Sequence, residues 1–179
     1  MRTFLAVEIP ESVRKVIHDL IQIEAKKELP IKWVKFENLH ITLKFLGEIE
    51  ENNKSKMAPA IAEICQKHSP FSVQLAGLGC FPNPRNPRVV WVGVKQGGEE
   101  LCTIAADLEE ELARFGFKEE KRFHPHLTIG RIKKFCKVDD ILTKSVSTDV
   151  FRVNSIVFFK STLKPDGPIY EKLDRYTLR

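Results

Sequence analysis

Two short segments constrain this 179-residue chain more than any other feature. One is Leu39-His40-Ile41-Thr42-Leu43-Lys44-Phe45-Leu46-Gly47; the other is Pro125-His126-Leu127-Thr128-Ile129-Gly130-Arg131-Ile132. Both read His, aliphatic, Thr, aliphatic. In a β-strand, residues i and i+2 project from the same face. His40 and Thr42 therefore project together, as do His126 and Thr128. Ile41, Leu43, Leu127 and Ile129 take the opposite face, toward a core. The second histidine follows the first by 86 residues, near half the chain length. That spacing predicts two similar lobes, each giving one imidazole and one hydroxyl to a shared cleft.

The rest of the chain agrees with such a plan. Thr3–Ile9 is rich in strand formers, and Val13, Val16, Ile17, Leu20 and Ile21 follow helical spacing after Pro10. Ile31–Val34 and Leu39–Leu46 read as strands. Met57, Ile61, Ile64 and Cys65 mark a second helix, in which Pro59 belongs to the first turn or makes a kink. Phe71–Leu75 and Val89–Val94 are strands on either side of Phe81-Pro82-Asn83-Pro84-Arg85-Asn86-Pro87-Arg88, whose prolines exclude regular structure. Leu101, Ile104, Ala105, Leu108, Leu112 and Phe115 form the clearest amphipathic helix, stopped by Gly116. Phe123–Ile132 is strand-like, and Val138–Thr143 reads as a short helix. Val150–Ser161 and Ile169–Tyr176 are late strands joined by Pro165-Asp166-Gly167-Pro168. Strands come in adjacent groups, which favours antiparallel α+β over a doubly wound sheet. The expected architecture is one bilobal domain over residues 1–179: two pseudo-symmetric lobes of antiparallel sheet, helices packed outside, and a central cleft.

Composition narrows the function classes. At 42% apolar residues the chain can bury a substantial core. No stretch approaches the ~20 apolar residues of a membrane span, and the N-terminal run does not resemble a signal peptide. A cytoplasmic location and no membrane partner are the expectations. Cys65, Cys80, Cys102 and Cys136 form no C-x-x-C pair and none of the spacings of a zinc site. No metal and no cofactor are expected. The net charge of +5 suits an anionic ligand, although a soluble surface of mixed charge would read the same way.

The paired motif suits phosphate ester cleavage. A neutral imidazole takes a proton from water while an imidazolium protonates the departing oxygen, and histidine titrates near ~6.5, close to neutral pH. Threonine hydroxyls hydrogen-bond the non-bridging oxygens. A single H-x-T in a strand is more often structural; two copies at half-chain spacing shift that balance.

These residues resemble the 2H phosphoesterase superfamily and, within it, the bacterial and archaeal RNA 2′,3′-cyclic phosphodiesterases, historically called 2′-5′ RNA ligases. Arg2-Thr3-Phe4-Leu5-Ala6, Lys32-Trp33-Val34, Glu37-Asn38-Leu39-His40, Lys44-Phe45-Leu46-Gly47-Glu48 and Phe123-His124-Pro125-His126-Leu127-Thr128-Ile129-Gly130-Arg131 carry the likeness over nearly the full length. The resemblance implies hydrolysis of a terminal 2′,3′-cyclic phosphate to a 2′-phosphate, with possible reverse 2′-5′ joining. It implies that His40 is the proton donor, His126 the proton acceptor, and Thr42 and Thr128 phosphate ligands. His124 departs from the Arg often found at that position. The motif itself is symmetric and leaves the two histidine roles open.

Further substrate contacts are expected from Arg131, Lys44 and Phe4. Arg131 has the wrong strand parity unless a bulge near Gly130 redirects it. Lys44 shares parity with His40 and Thr42. Phe4, Trp33, Phe36 and Phe81 are aromatic residues near the motifs, and the proline-rich loop is long enough to suggest a functional role. His18 and His68 fall on helices away from the motifs. RNA ends, tRNA fragments among them, are the expected partners of a monomer. Two other readings stay open: an RNA-end binding module without turnover, and a phosphodiesterase for small cyclic nucleotides.

Overall fold

The structure, a computed structural model, describes residues 1–120 and 122–179. The chain begins with β1 (Arg2–Glu8), α1 (Glu11–Ala25), β2 (Ile31–Trp33), a 3-10 turn (Phe36–Asn38) and β3 (His40–Glu48). Next come α2 (Glu51–Gln66), β4 (Phe71–Phe81), β5 (Val89–Gln96) and α3 (Gly98–Leu112). It ends with β6 (His126–Ile132), α4 (Asp139–Leu142), β7 (Phe151–Val153), β8 (Ser155–Lys164) and β9 (Gly167–Thr177). The strands form two antiparallel sheets, ordered β3-β1-β8-β9 and β2-β6-β5-β4-β7. The class is α+β, as the grouping of strands implied. Each sheet holds one H-x-T strand: β3 at the edge of the first, β6 inside the second. Because β2 and β4 to β7 lie in one sheet and β1, β3, β8 and β9 in the other, the chain crosses between sheets several times.

The helices obey their sequence periodicity. On α1 the buried residues are Val13, Ile17, Ile21 and Glu24, and on α3 they are Leu101, Ile104, Ala105, Leu108 and Leu112. Burying each large aliphatic side chain is worth roughly 1.5–3 kcal/mol, which is what holds these helices on the sheets. The main core unites them with Leu5, Val7, Ile41, Leu43, Val90, Val92, Leu127 and Ile129. A smaller cluster of Phe4, Ala6, Val157 and Phe159, with Tyr170 packed against it, lies apart from that core. Among the described residues no helix is long and apolar enough to cross a membrane.

Two local expectations are corrected. The second helix does not start at Pro59 but runs through it from Glu51 to Gln66; Pro59 lies on its exposed side. Proline removes one hydrogen bond from the helix, here on a side open to solvent. Val150–Ser161 is not one strand. Asn154 divides it, so that β7 pairs with β4 in one sheet and β8 with β1 in the other.

Candidate active site

Both motif strands carry the same irregularity at the same place. In β3, Thr42 faces Ala6 and Lys44 faces Leu5, leaving Leu43 as an extra residue. In β6, Thr128 faces Trp91 and Gly130 faces Val90, leaving Ile129 as the extra residue. A bulge of this kind resets the alternation beyond it. The fifth residue after each histidine therefore returns to the histidine's face: Phe45, opposite Phe4, in one sheet, and Arg131, opposite Val89, in the other. Gly130 fits because it lacks a side chain; a Cβ there would meet Ile31 and Trp33 at 2.8 and 2.9 Å.

This geometry settles where Arg131 and Lys44 point. Arg131 lies on the His126 face, exposed, across from Lys32 of β2. Lys44 is turned the other way, which corrects its expected place in the cleft. Its side chain is 2% exposed and its ammonium donates to Glu109 of α3 at 2.8 Å and to the Lys118 carbonyl at 3.3 Å. Strict alternation would have put Lys44 beside Thr42; the bulge at Leu43 takes it into the core side and gives its place to Phe45.

The two imidazoles are held alike. His40 Nδ1 donates to the Asn38 carbonyl at 2.5 Å, and His126 Nδ1 donates to the His124 carbonyl at 2.6 Å. A carbonyl only accepts, so Nδ1 carries the proton in each neutral ring and Nε2 is the basic nitrogen. At His40, Nε2 accepts from the Thr42 hydroxyl at 3.0 Å. Asn38 in turn donates to the Pro168 carbonyl at 2.9 Å, tying the turn before His40 to β9.

Aromatic rings back both histidines. Phe4 stacks on His40 with centroids 4.9 Å apart, and Tyr170 meets His40 edge-on at 5.1 Å. Phe81 meets His126 edge-on at 5.0 Å and His124 at 5.3 Å. The Trp91 indole lies over Gly79, where a Cβ would sit 2.3 Å from the ring. Burial pushes His40 down to about 4, partly offset by the bond to Asn38 and helped by the charge of Arg131. Burial also lowers His126, with the neighbouring His124 and Arg131 acting in the same direction. Burial raises the Tyr170 phenol, while Arg131 and Arg2 act against that rise. Arg131 is thus within electrostatic reach of both imidazoles and of Tyr170, although the histidines belong to different sheets.

The remaining expected residues fall as follows. Thr42 and Thr128 share their histidines' faces. Phe4 is 3% exposed beneath His40, so it supports the ring and offers no surface to a ligand, which corrects its expected substrate contact. Trp33 packs against the core, and Phe36 lies under Arg14 and beside His18, away from the motifs. His68 bonds Asp107 at 2.6 Å. The four cysteines are free thiols. Among the described residues, no three His, Cys, Asp or Glu side chains gather to hold a metal ion. Sequence reasoning missed Phe45, which is 55% exposed on the His40 face, and Tyr170. Superposing the two motifs residue by residue would have paired Phe45 with Arg131; nothing local marks Tyr170, which arrives from a distant strand.

Comparison with known proteins matches this arrangement. The family described as LigT like Phosphoesterase matches twice in succession, over residues 7–91 and 92–170, each stretch holding one H-x-T. The RNA 2′,3′-cyclic phosphodiesterase of Archaeoglobus fulgidus is 40% identical over 176 residues, covering 97% of this chain and 98% of that one. Among solved structures, TT0787 of Thermus thermophilus aligns with TM-score 0.86 at 29% identity, covering 100% of this chain and 98% of that one. Escherichia coli LigT complexed with 3′-AMP aligns with TM-score 0.78 at 27% identity, covering 99% and 97% of the two chains.

Proposed function

Because this chain belongs to the LigT-like phosphoesterase family of the 2H superfamily, we propose that it hydrolyses RNA ends bearing a 2′,3′-cyclic phosphate to 2′-phosphomonoesters. The observation that carries the reading is the matched pair of imidazoles. Each is fixed through Nδ1 to a main-chain carbonyl, each presents Nε2, and both feel the same guanidinium of Arg131. The A. fulgidus relative, named an RNA 2′,3′-cyclic phosphodiesterase, supports the substrate class.

In this mechanism neutral His126 accepts a proton from water through Nε2 as the water oxygen attacks phosphorus. The bond from phosphorus to the 3′ oxygen breaks, and His40 protonates that oxygen from Nε2. The phosphate stays on the 2′ oxygen, and the two imidazoles exchange protonation states over the turnover. Arg131, Thr42 and Thr128 hold the non-bridging oxygens, where negative charge accumulates. The role assignment has an electrostatic requirement. Burial by itself keeps His40 neutral, so the proton it donates must be retained with the help of the substrate phosphate anion beside it. When His40 is protonated, Nε2 becomes a donor and the Thr42 hydroxyl turns to accept from it or to face the phosphate. Phe45 gives the terminal base an aromatic surface next to His40. A 5′-hydroxyl in the place of water would give a 2′-5′ bond by the same proton transfers, which is the joining reaction.

The test is hydrolysis of an oligonucleotide ending in a 2′,3′-cyclic phosphate, with EDTA present and the product isomer identified. A 2′-phosphate is expected, with loss of at least ~10²-fold in His40→Ala and in His126→Ala, the lower range for acid–base groups. Less than threefold loss in either variant would remove that residue from the chemistry. Tight oligonucleotide binding without turnover would make the protein an RNA-end binder.

A further inference from the structure

We propose that the surface beyond Arg131, built from β2, the β4–β5 loop and the end of β6, is a track for the phosphates of single-stranded RNA upstream of the terminal nucleotide. The inference rests on the RNA-end reading above and extends it past the reacting phosphate.

The starting observation is where the carboxylates are not. The runs 29–36, 64–98 and 122–138 contain no Asp or Glu at all, in a chain with 24 of them. Folding brings parts of these runs side by side. Lys32 of β2 lies across from Arg131 of β6, and Arg131 lies across from Val89 of β5. The Ile132 N–H donates to the Arg88 carbonyl at 2.9 Å, and the Lys133 N–H donates to the Pro30 carbonyl at 2.8 Å. Lys32, Arg85, Arg88, Arg131, Lys133 and Lys134 thus collect at one edge of the second sheet, all exposed.

These cations are available. Among the described residues none of the six has a carboxylate within ion-pair distance, whereas nearby Lys35 pairs with Asp166 at 2.9 Å. The open face near Glu8 offers a contrast: Lys172 and Arg175 there are both bonded to Glu8. A polyanion leaving the cleft therefore meets unpaired cations past Arg131 and cations already sharing the Glu8 carboxylate on the other side. The loop presenting Arg85 and Arg88 is also built in a defined shape. Asn83 Oδ1 accepts from the N–H groups of Arg85 and Asn86, each at 3.0 Å, and the Arg88 N–H closes onto the Phe81 carbonyl at 2.7 Å. Phe81 is the ring that backs His126, so the loop carrying these arginines starts at the catalytic centre.

Arg131 sits where the two functions meet, at the reacting phosphate and at the head of the track. The other five cations lie outside the hydrolytic site, so a cyclic mononucleotide would not use them. This separates the track from catalysis experimentally. The variant Arg85→Gln/Arg88→Gln/Lys133→Gln/Lys134→Gln is compared with the wild type in two assays. The first is fluorescence anisotropy with a single-stranded ten-nucleotide RNA ending in a 3′-phosphate, over a salt series. The second is hydrolysis of adenosine 2′,3′-cyclic phosphate. Contacts to single-stranded phosphates contribute about 0.7 each to the slope of log K against log salt. The variant is expected to bind RNA at least ~10-fold more weakly, with a slope shallower by about 2. Its kcat/KM on the mononucleotide stays within about threefold of the wild type, the scale of electrostatic changes outside a site. RNA affinity within twofold of the wild type, or equal losses in both assays, would overturn the track. Failure of the wild type to hydrolyse either cyclic substrate would instead overturn the proposed activity, with the anisotropy titration still deciding the track.

Discussion

The buried imidazole of His40 makes a prediction about stability that needs no substrate. His40→Asn keeps a side-chain amide N–H where Nδ1 meets the Asn38 carbonyl, and removes the titration. In the unfolded chain a histidine titrates near ~6.5, whereas burial holds His40 at about 4 in the folded protein. Between those values the unfolded state binds the proton and the folded state does not. Stability must then rise with pH across this window and fall as pH drops from about 6.5 toward 4. At pH 7.5 both states are neutral at this site and the linkage contributes almost nothing. At pH 4.5 the unfolded ring is almost fully charged and the folded ring mostly neutral, a penalty of about 2–3 kcal/mol. Urea denaturation of wild type and variant at both pH values gives the test. Other titrating groups are common to the two proteins and cancel. The stability difference between variant and wild type should shift by about 2–3 kcal/mol in the variant's favour on going from pH 7.5 to 4.5. A shift below about 0.5 kcal/mol would show that burial does not depress this imidazole, and would remove the argument that substrate phosphate must help His40 hold its proton.

Three further outcomes follow from the site. Both histidines titrate below their ordinary value, so the bell-shaped profile of kcat/KM should be centred below pH 6.5, the ordinary histidine pKa, with kcat retaining activity to higher pH once phosphate is bound. A flat profile between about pH 5 and 9 would argue against paired imidazoles. Glu109→Ala strands the buried Lys44 ammonium and should cost about 3–5 kcal/mol by urea titration, whereas Lys44→Met/Glu109→Leu should fall near wild type. In that double variant KM for a cyclic nucleotide should be unchanged; a tenfold rise would return Lys44 to the substrate. Phe45→Ala should raise KM roughly 5- to 150-fold with kcat little changed, given about 1–3 kcal/mol for one stacked base. A drop in kcat with KM unchanged would place Phe45 elsewhere in the mechanism.

Much of the site was legible because its signal is local. Alternation along a strand needs only that the strand exist, so the shared faces of His40 with Thr42 and His126 with Thr128 could be read directly, and so could the duplication. Helical periodicity on α1 and α3 was readable for the same reason, since a buried stripe shows in spacing alone. Pro59 misled as a mark of the helix start because the cost of a missing N–H depends on whether that side of the helix meets solvent.

What the sequence determined by itself, then, is the pair of amphipathic strands with their imidazoles and hydroxyls, and the antiparallel α+β class that displays them. Only the tertiary structure decided which of their neighbours join the cleft. A bulge belongs to the register between two strands, and the partners of β3 and β6 come from far along the chain. One extra residue after each Thr sends Lys44 inward to Glu109, brings Phe45 out, and turns Arg131 toward both histidines. The cationic edge obeys the same rule: three acid-free runs are visible in the sequence, but only strand pairing places them side by side.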